Sequence, residues 1–345
     1  MKNNNDKKWY DDLSKTEQNN RLERINNIKE LAEAGNAEAM HTYAVILENE
    51  KGMHFLDDDS PESAKYWHER AFELGHSESA YKLANYHFDD HEMGNWGEGV
   101  NFLRIAARDG HLNSQIKMAE IYDKGLYNVK ASAEESFKWH KAASHQDTHS
   151  KYMIANMYKN GDGVKADFNE FLRYMTEAAN DGHIEAKYQL STHHIDNSNN
   201  EDKSYWIRQM KKTADAGHTK SQYSYAMLMK TKQKNNNDYV EYLEKSANTG
   251  HLDSLYELFM HYEYESKLEK AVVYLKMAAD QEAGPAQFAL SKYYKKGLGG
   301  IEKNEALAEK LMQDAADSGF ELAINEINKK SNKKLKDNSN GNSLG

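Results

Sequence analysis

Histidine offers the most chemistry in this sequence: there are sixteen, and imidazole serves as a metal ligand or as an acid/base group near neutral pH. His87 and His91 stand four apart beside Asp89 and Asp90, a spacing that puts two imidazoles on one helix face. His145 with His149 and His193 with His194 are further pairs. The sequence locates no third ligand for any of them, so no metal and no other cofactor is expected. His91-Glu92-Met93-Gly94-Asn95 lacks the second histidine of a zinc-protease helix, and Gly297-Leu298-Gly299-Gly300 follows a helical tyrosine pattern rather than the strand of a dinucleotide site. Ser, His and Asp are abundant, but their spacing assembles no triad. Cysteine is absent, which removes thiol nucleophiles, disulfides and cysteine-ligated zinc. No catalytic residue is assigned, no enzyme activity is expected, and no small-molecule substrate is implied.

Charge narrows the field further. The net charge is −10, and without the lysines near the C-terminus (Lys329, Lys330, Lys333, Lys334, Lys336) the remainder is more acidic still. Such a body repels phosphate, so nucleic acid is not an expected partner. The longest apolar run near the start, Tyr43 to Leu47, is far shorter than the roughly 20 residues of a membrane helix. The first twenty residues are too polar for a secretory signal, and a cytoplasmic protein without membrane insertion is expected. A mean hydropathy of −0.97 would suit disorder, but 22 Tyr, 10 Phe, 5 Trp and 14 Met are more large side chains than a solvated coil carries.

The elements that position these side chains are set by a repeat. An Ala-x-x-Gly-His phrase recurs with glycine at Gly35, Gly75, Gly110, Gly182, Gly217, Gly250 and Gly319, and Gln146 and Glu282 hold the same place in two degenerate copies. The period is near 35 residues, long enough for two helices and two turns. Three residues before the anchor stands alanine in eight of nine copies, Phe72 being the exception; seven before it stands a large apolar residue such as Leu103, Met175, Leu243 or Leu275. Four apart, these positions share one face of a helix running into the anchor. The anchor glycine ends that helix in the left-handed conformation. A second helix follows, with small residues at the fourth position (Ser79, Ser114, Ala186, Ser254) and apolar ones at the eighth (Leu83, Met118, Ile154, Leu258). Because His76, His111, His183, His218 and His251 recur once per copy, their predicted role is to cap the turn. Tyr158-Lys-Asn-Gly161-Asp-Gly163-Val164 to Asp167 is the fullest turn between the two helices, and Ser60-Pro61-Glu62 reads as a helix start.

Tyr158 to Asp167 and Ala178-Ala179-Asn-Asp-Gly182-His183 give the sequence a close resemblance to Sel1-like repeat proteins, relatives of the tetratricopeptide repeat. The resemblance covers roughly residues 21–329 and departs from the pattern at Met229 to Asp238 and His261 to Leu268, where loop glycines are missing and tighter turns are expected. It implies an all-α fold, a right-handed α/α superhelical solenoid of about eight helix pairs plus capping helices. Residues 1–14 would form a flexible arm, 15–329 a single solenoid domain and 330–345 a disordered Lys/Asn-rich tail. The first helix is expected after Ser14 with Leu22, Ile25, Ile28 and Leu31 inward, and the last over about 320–329 with Leu322, Ala323 and Ile327 inward.

In that family the helix after each Gly-His turn lines the concave side. Its sixth position carries Tyr81, Tyr152, Tyr188, Tyr223 and Tyr256, where the ring can pack and the hydroxyl can face a ligand. Its tenth position varies, with Asn85, Glu120, Asn156, Thr192, Met227 and Met260, as a surface dedicated to one partner would. These eleven residues are the candidate binding site. The expected function is a non-catalytic scaffold for a protein or peptide partner; the family also contains immunity proteins against secreted bacterial toxins, which is the alternative.

Overall fold

In a computed structural model of the chain, the residues described are 15–51, 63–89, 95–197, 200–232 and 236–341. All eighteen regular elements among them are α-helices, and none is long and apolar enough to cross a membrane. The chain divides into two compact units, Met1–His183 and Ile184–Gly345. The first holds α1 (Lys15–Glu33), α2 (Ala37–Lys51), α3 (Ala64–Glu73), α4 (Ser77–Asp89), α5 (Trp96–Arg108), α6 (Leu112–Lys124), α7 (Ala133–Ala143), α8 (Thr148–Asn160) and α9 (Phe168–Asn180). The second holds α10 (Ile184–Asn197), α11 (Asn200–Asp215), α12 (Thr219–Lys232), α13 (Asn236–Ala247), α14 (Leu252–Tyr264), α15 (Leu268–Ala279), α16 (Gly284–Lys296), α17 (Glu305–Asp317) and α18 (Glu321–Gly341). Within each unit the helices pack on their neighbours in sequence order. Even-numbered helices follow a Gly-His turn or its degenerate form and are called leading helices below; odd-numbered helices run into one.

The repeat stripes are the core. Leu103, Met175, Leu243 and Leu275 are buried, as are Ala107, Ala179, Ala247 and Ala279 one helical turn later. On the leading helices the small residues Ser114, Ser150, Ala186 and Ser254 are fully buried beside Met118, Ile154 and Leu258. A small side chain at each crossing lets two backbones approach, while each buried Leu or Met contributes about 1.5–3 kcal/mol.

Turn chemistry fixes the ends. Asp167 accepts from the backbone N–H groups of Asn169 and Glu170 and caps α9, and Gly161 closes α8 in the left-handed region at φ 82°. Gly163 answers a second demand besides its φ of 66°: a Cβ there would lie 2.2 Å from the Ala133 carbonyl, so only glycine lets this loop rest on the start of α7. Where the repeat has lost glycine, two residues take up the strained conformation themselves, Ser266 and Glu282, both with φ 59°. Ser266 makes the tight α14–α15 connection expected of the shortened copies.

Three expectations need correction or restriction. Leu22 and Leu31 are 49% and 54% exposed rather than inward; among the described residues of α1 only Ala32, at the repeat's alanine position, is fully buried. At the far end Ala323 is buried but Leu322 is 57% exposed, and α18 continues past Lys329 to Gly341, with no proline to stop it. Ser14, Ser60-Pro61-Glu62 and His91 lie outside the described residues.

Candidate partner-binding face

The Gly-His turns do more than end helices. His111 Nδ1 accepts the Ser114 backbone N–H at 3.2 Å and caps α6, while its Nε2 lies 2.6 Å from Glu78 on the preceding leading helix. The same construction recurs where His76 reaches Glu38 at 3.1 Å and His218 reaches Glu185 at 3.0 Å. In the neutral ring the accepting Nδ1 leaves the hydrogen on Nε2, which donates to the carboxylate. The tyrosine at the sixth position lies against the next histidine: Tyr81 with His111 at 5.2 Å, Tyr188 with His218 at 5.2 Å and Tyr223 with His251 at 5.0 Å between ring centroids. Tyr152 stacks on His183 at 4.4 Å. Tyr81, His111 and Glu78, and likewise Tyr188, His218 and Glu185, thus form a rung between successive leading helices of one unit, while Tyr152–His183 and Tyr223–His251 are rungs without the glutamate. Both residue types were visible in the sequence with one period, which was the available signal for this coupling; nothing there paired the tyrosine of one copy with the histidine of the next.

A rung contains Ser, His and Glu at hydrogen-bonding distances, with Ser114 Oγ 2.8 Å from His111 Nδ1, and so resembles the triad that the sequence could not assemble. Its geometry serves capping. The Ser114 side chain is fully buried, and the lone pair that would take its proton already accepts a backbone N–H. A nucleophilic serine needs an exposed Oγ and an unoccupied base.

Of the histidine pairs named from the sequence, His193 and His194 do lie in edge-on contact, 5.2 Å between ring centroids, and His87 is described without His91. His149 Nδ1 meets His183 Nε2 at 3.4 Å, His194 stacks on Trp206 at 4.2 Å, and His87 stacks on Phe102 at 5.6 Å with Glu98 3.7 Å away. Among the described residues no three His, Asp or Glu side chains are grouped so as to hold one metal ion.

The eleven candidate residues all sit on leading helices, but they are not equivalent. Glu120 is held between Lys117 and Lys124, each at 3.0 Å, and the hydrogen bonds from Lys124 and Lys117 keep its carboxyl below the usual range. Asn156 and Thr192 bond back to the carbonyls of Tyr152 and Tyr188, one turn earlier in their own helices. Asn85 is half-buried beside Tyr81 on α4. Tyr81, Tyr152, Tyr188 and Tyr223 are the half-buried members of rungs.

Tyr256 and Met260 differ. In the second unit the rungs fade stepwise: Glu185 serves His218, Lys220 stands where His251 would need a carboxylate, and Ala283 stands where Tyr256 would need a histidine. Tyr256 is accordingly 38% exposed, and Met260 and Tyr264 further along α14 are 47% and 91% exposed. Met260 and Tyr264 line a hollow of about 430 Å³ with Met229, Tyr239, Glu257 and His261, together with Lys230. Lys230 closes one side through a 2.6 Å ion pair with Glu257, which also accepts from the Tyr239 hydroxyl at 3.2 Å. Met227 is half-buried on α12 and packs on the core of this unit. A hollow of about 460 Å³ in the first unit, floored by Met40 and Trp67, carries none of the candidate residues.

Comparison with known proteins agrees with this architecture. Residues 37–76, 112–147, 148–183, 252–282 and 284–320, just over half of the chain, match the Sel1 repeat. Among solved structures, c5321, a protective antigen present in uropathogenic Escherichia coli strains and displaying an SLR fold, superposes with a TM-score of 0.69 at 22% identity, over 87% of this chain and 65% of that one. The Sel1 repeat protein from Oxalobacter formigenes gives a TM-score of 0.51 at 20% identity, over 76% of this chain and 89% of that one. Chitin synthase regulatory factor 4 of Schizosaccharomyces pombe is 26% identical over 125 residues, 36% of this chain and 19% of that protein. The chain therefore spans under two thirds of c5321 and about a fifth of the yeast factor. With its helix-turn unit matched in sequence over more than half its length and its paired helices superposing on both solved structures, the chain belongs to the Sel1 repeat family.

Proposed function

We propose that this chain is a non-catalytic scaffold that holds a protein or peptide partner on its leading-helix face, anchored chiefly on α14 and the adjoining α12. The observation that carries this reading is the combination of Tyr256, Met260 and Tyr264, exposed where no rung covers them, with the hollow that Met260 and Tyr264 line. Tyrosine supplies a large contact at low entropic cost, and methionine adapts its shape to what it meets. Apolar anchors beside a pocket are the usual centre of a binding energy hot spot. The polar candidates Glu120, Asn156 and Thr192 already have partners within the chain, so they supply contact area and selectivity rather than anchoring.

Photo-crosslinking in the native host tests this. A photoreactive residue at position 260 should give a discrete adduct with one partner, while the same residue at exposed Lys310 on α17 should not. Equal labelling from both positions, or none from position 260, would contradict the assignment. If the adduct is a secreted toxin whose activity the chain abolishes, the function narrows to the immunity protein that the family resemblance allows. An adduct with a regulatory or secretion component narrows it to an adaptor.

A further inference from the structure

We propose that the junction of α2, α3 and α4 is a proton-sensitive latch, closed while the imidazoles of His41, His68 and His76 share the Ser79 hydroxyl and opened when acid protonates them. His68 stands seven residues before Gly75, where the repeat otherwise places residues such as Leu103, Met175 and Leu275. It is fully buried. Its Nδ1 lies 3.2 Å from Ser79 Oγ, and the Nδ1 atoms of His41 and His76 each lie 3.1 Å from the same oxygen. The His41 ring sits 5.2 Å from that of His68 and 4.6 Å from that of His76. One helix contributes each partner: His41 from α2, His68 from α3, and Ser79 from α4 with His76 at its cap.

A hydrogen count shows why this arrangement cannot survive acid. His76 Nδ1 accepts the Ser79 backbone N–H at 3.2 Å, which caps α4. The Ser79 hydroxyl has one hydrogen to give and two lone pairs to offer. Neutral rings can meet these terms, since some donate and others accept. When all three rings are protonated, each presents an N–H. The oxygen can receive two at most, and the His76 N–H then faces the backbone N–H it used to accept. Ser79 is fully buried, so no water is at hand to absorb the surplus donors.

The surrounding charges set the direction. From α2 the cluster faces Glu38, which meets His76 at 3.1 Å, and Glu48, which is 3.3 Å from His68 Nε2. From α4 it faces Glu78, Lys82 and Tyr86, of which Lys82 and Tyr86 reach Glu48 at 2.9 Å and 2.5 Å. Burial, reinforced by the neighbouring imidazoles, pushes His41 down to about 4, and burial pushes His68 down as well despite Glu48. Burial by itself would raise the Glu48 carboxyl, but the hydrogen bonds from His68, Tyr86 and Lys82 outweigh it and hold the group well below the carboxylate range. The unfolded chain therefore takes up protons below about pH 6.5 that the folded junction refuses, and the junction weakens as pH falls from there towards 4. Glu48 adds its own loss only below about pH 4.5.

Hydrogen exchange on the full chain across this range tests the latch. Protection of α2–α4 should fall about tenfold or more before α14–α16 change. His68→Leu, which restores the repeat's residue, should move that opening to lower pH. Loss of protection in step with α14–α16, or an unchanged opening in H68L, would overturn the proposal. The histidine resonances of the unmodified protein give a second reading that needs no variant. His41 should titrate near about 4 and His68 below its ordinary value, and ordinary titration of both would equally overturn it.

Discussion

The turn at His111 and the turn after Tyr256 occupy the same place in the repeat and have opposite fates. At His111 the imidazole caps α6, meets Glu78 at 2.6 Å and packs on Tyr81; both ring nitrogens are used and the tyrosine is half covered. After Tyr256 the histidine is Ala283 and the anchor glycine is Glu282, so the tyrosine has no histidine of the next copy to lie on, only Phe259 of its own helix at 5.7 Å between ring centroids, and the surface opens beside Met260. The same helices pack in both places. What differs is whether the residues between them are spent on holding the array together or left over for something else.

The largest expected effect breaks the first of these turns. His111→Ala removes a helix cap, a charge-assisted hydrogen bond and a ring contact, and should lower stability in urea by about 2 kcal/mol. His251→Ala removes a cap that has no carboxylate behind it, and should cost about 1 kcal/mol. Equal losses would mean that the glutamate adds nothing to a rung. Glu282→Gly works in the opposite direction. It relieves a left-handed residue at φ 59° and should stabilise the chain by about 1 kcal/mol. Smallest of all is Tyr264→Ala: with the side chain 91% exposed, it should shift stability by no more than about 0.5 kcal/mol. A large loss there would show that α14 is held by contacts rather than left open.

The repeat was legible because its physical requirements are local and periodic. Alanine before the anchor, glycine or its substitute in the turn and a large apolar residue on the stripe each answer one packing demand, and each recurs every 35 residues or so. The capping role of the histidines is legible for the same reason, as His111 and His251 show. The binding candidates were legible only as positions. Sequence placed Tyr81 and Tyr256 in one class, because exposure depends on the residue 30 or so further on that the ring rests against. His68 shows the same limit from the other side. It occupies a place in the stripe that apolar residues such as Leu103 and Leu275 hold in other copies, but nothing linear pointed to Glu48 twenty residues earlier or to His41. The first helix departs for a simpler reason: Leu22 and Leu31 follow the inward pattern, but α1 packs mainly on α2 and both side chains lie away from that contact, exposed.

The comparison turns on whether the open turn is where a partner binds. The most direct measurement is the affinity of the crosslinked partner, once purified, for two double variants of the full chain, each checked for retained helicity. Tyr256→Ala with Met260→Ala should weaken binding by more than about tenfold. Tyr81→Ala with Asn85→Ala, at the closed rung, should weaken it by less than about threefold. Comparable losses in the two variants, or the larger loss at Tyr81 and Asn85, would contradict the account.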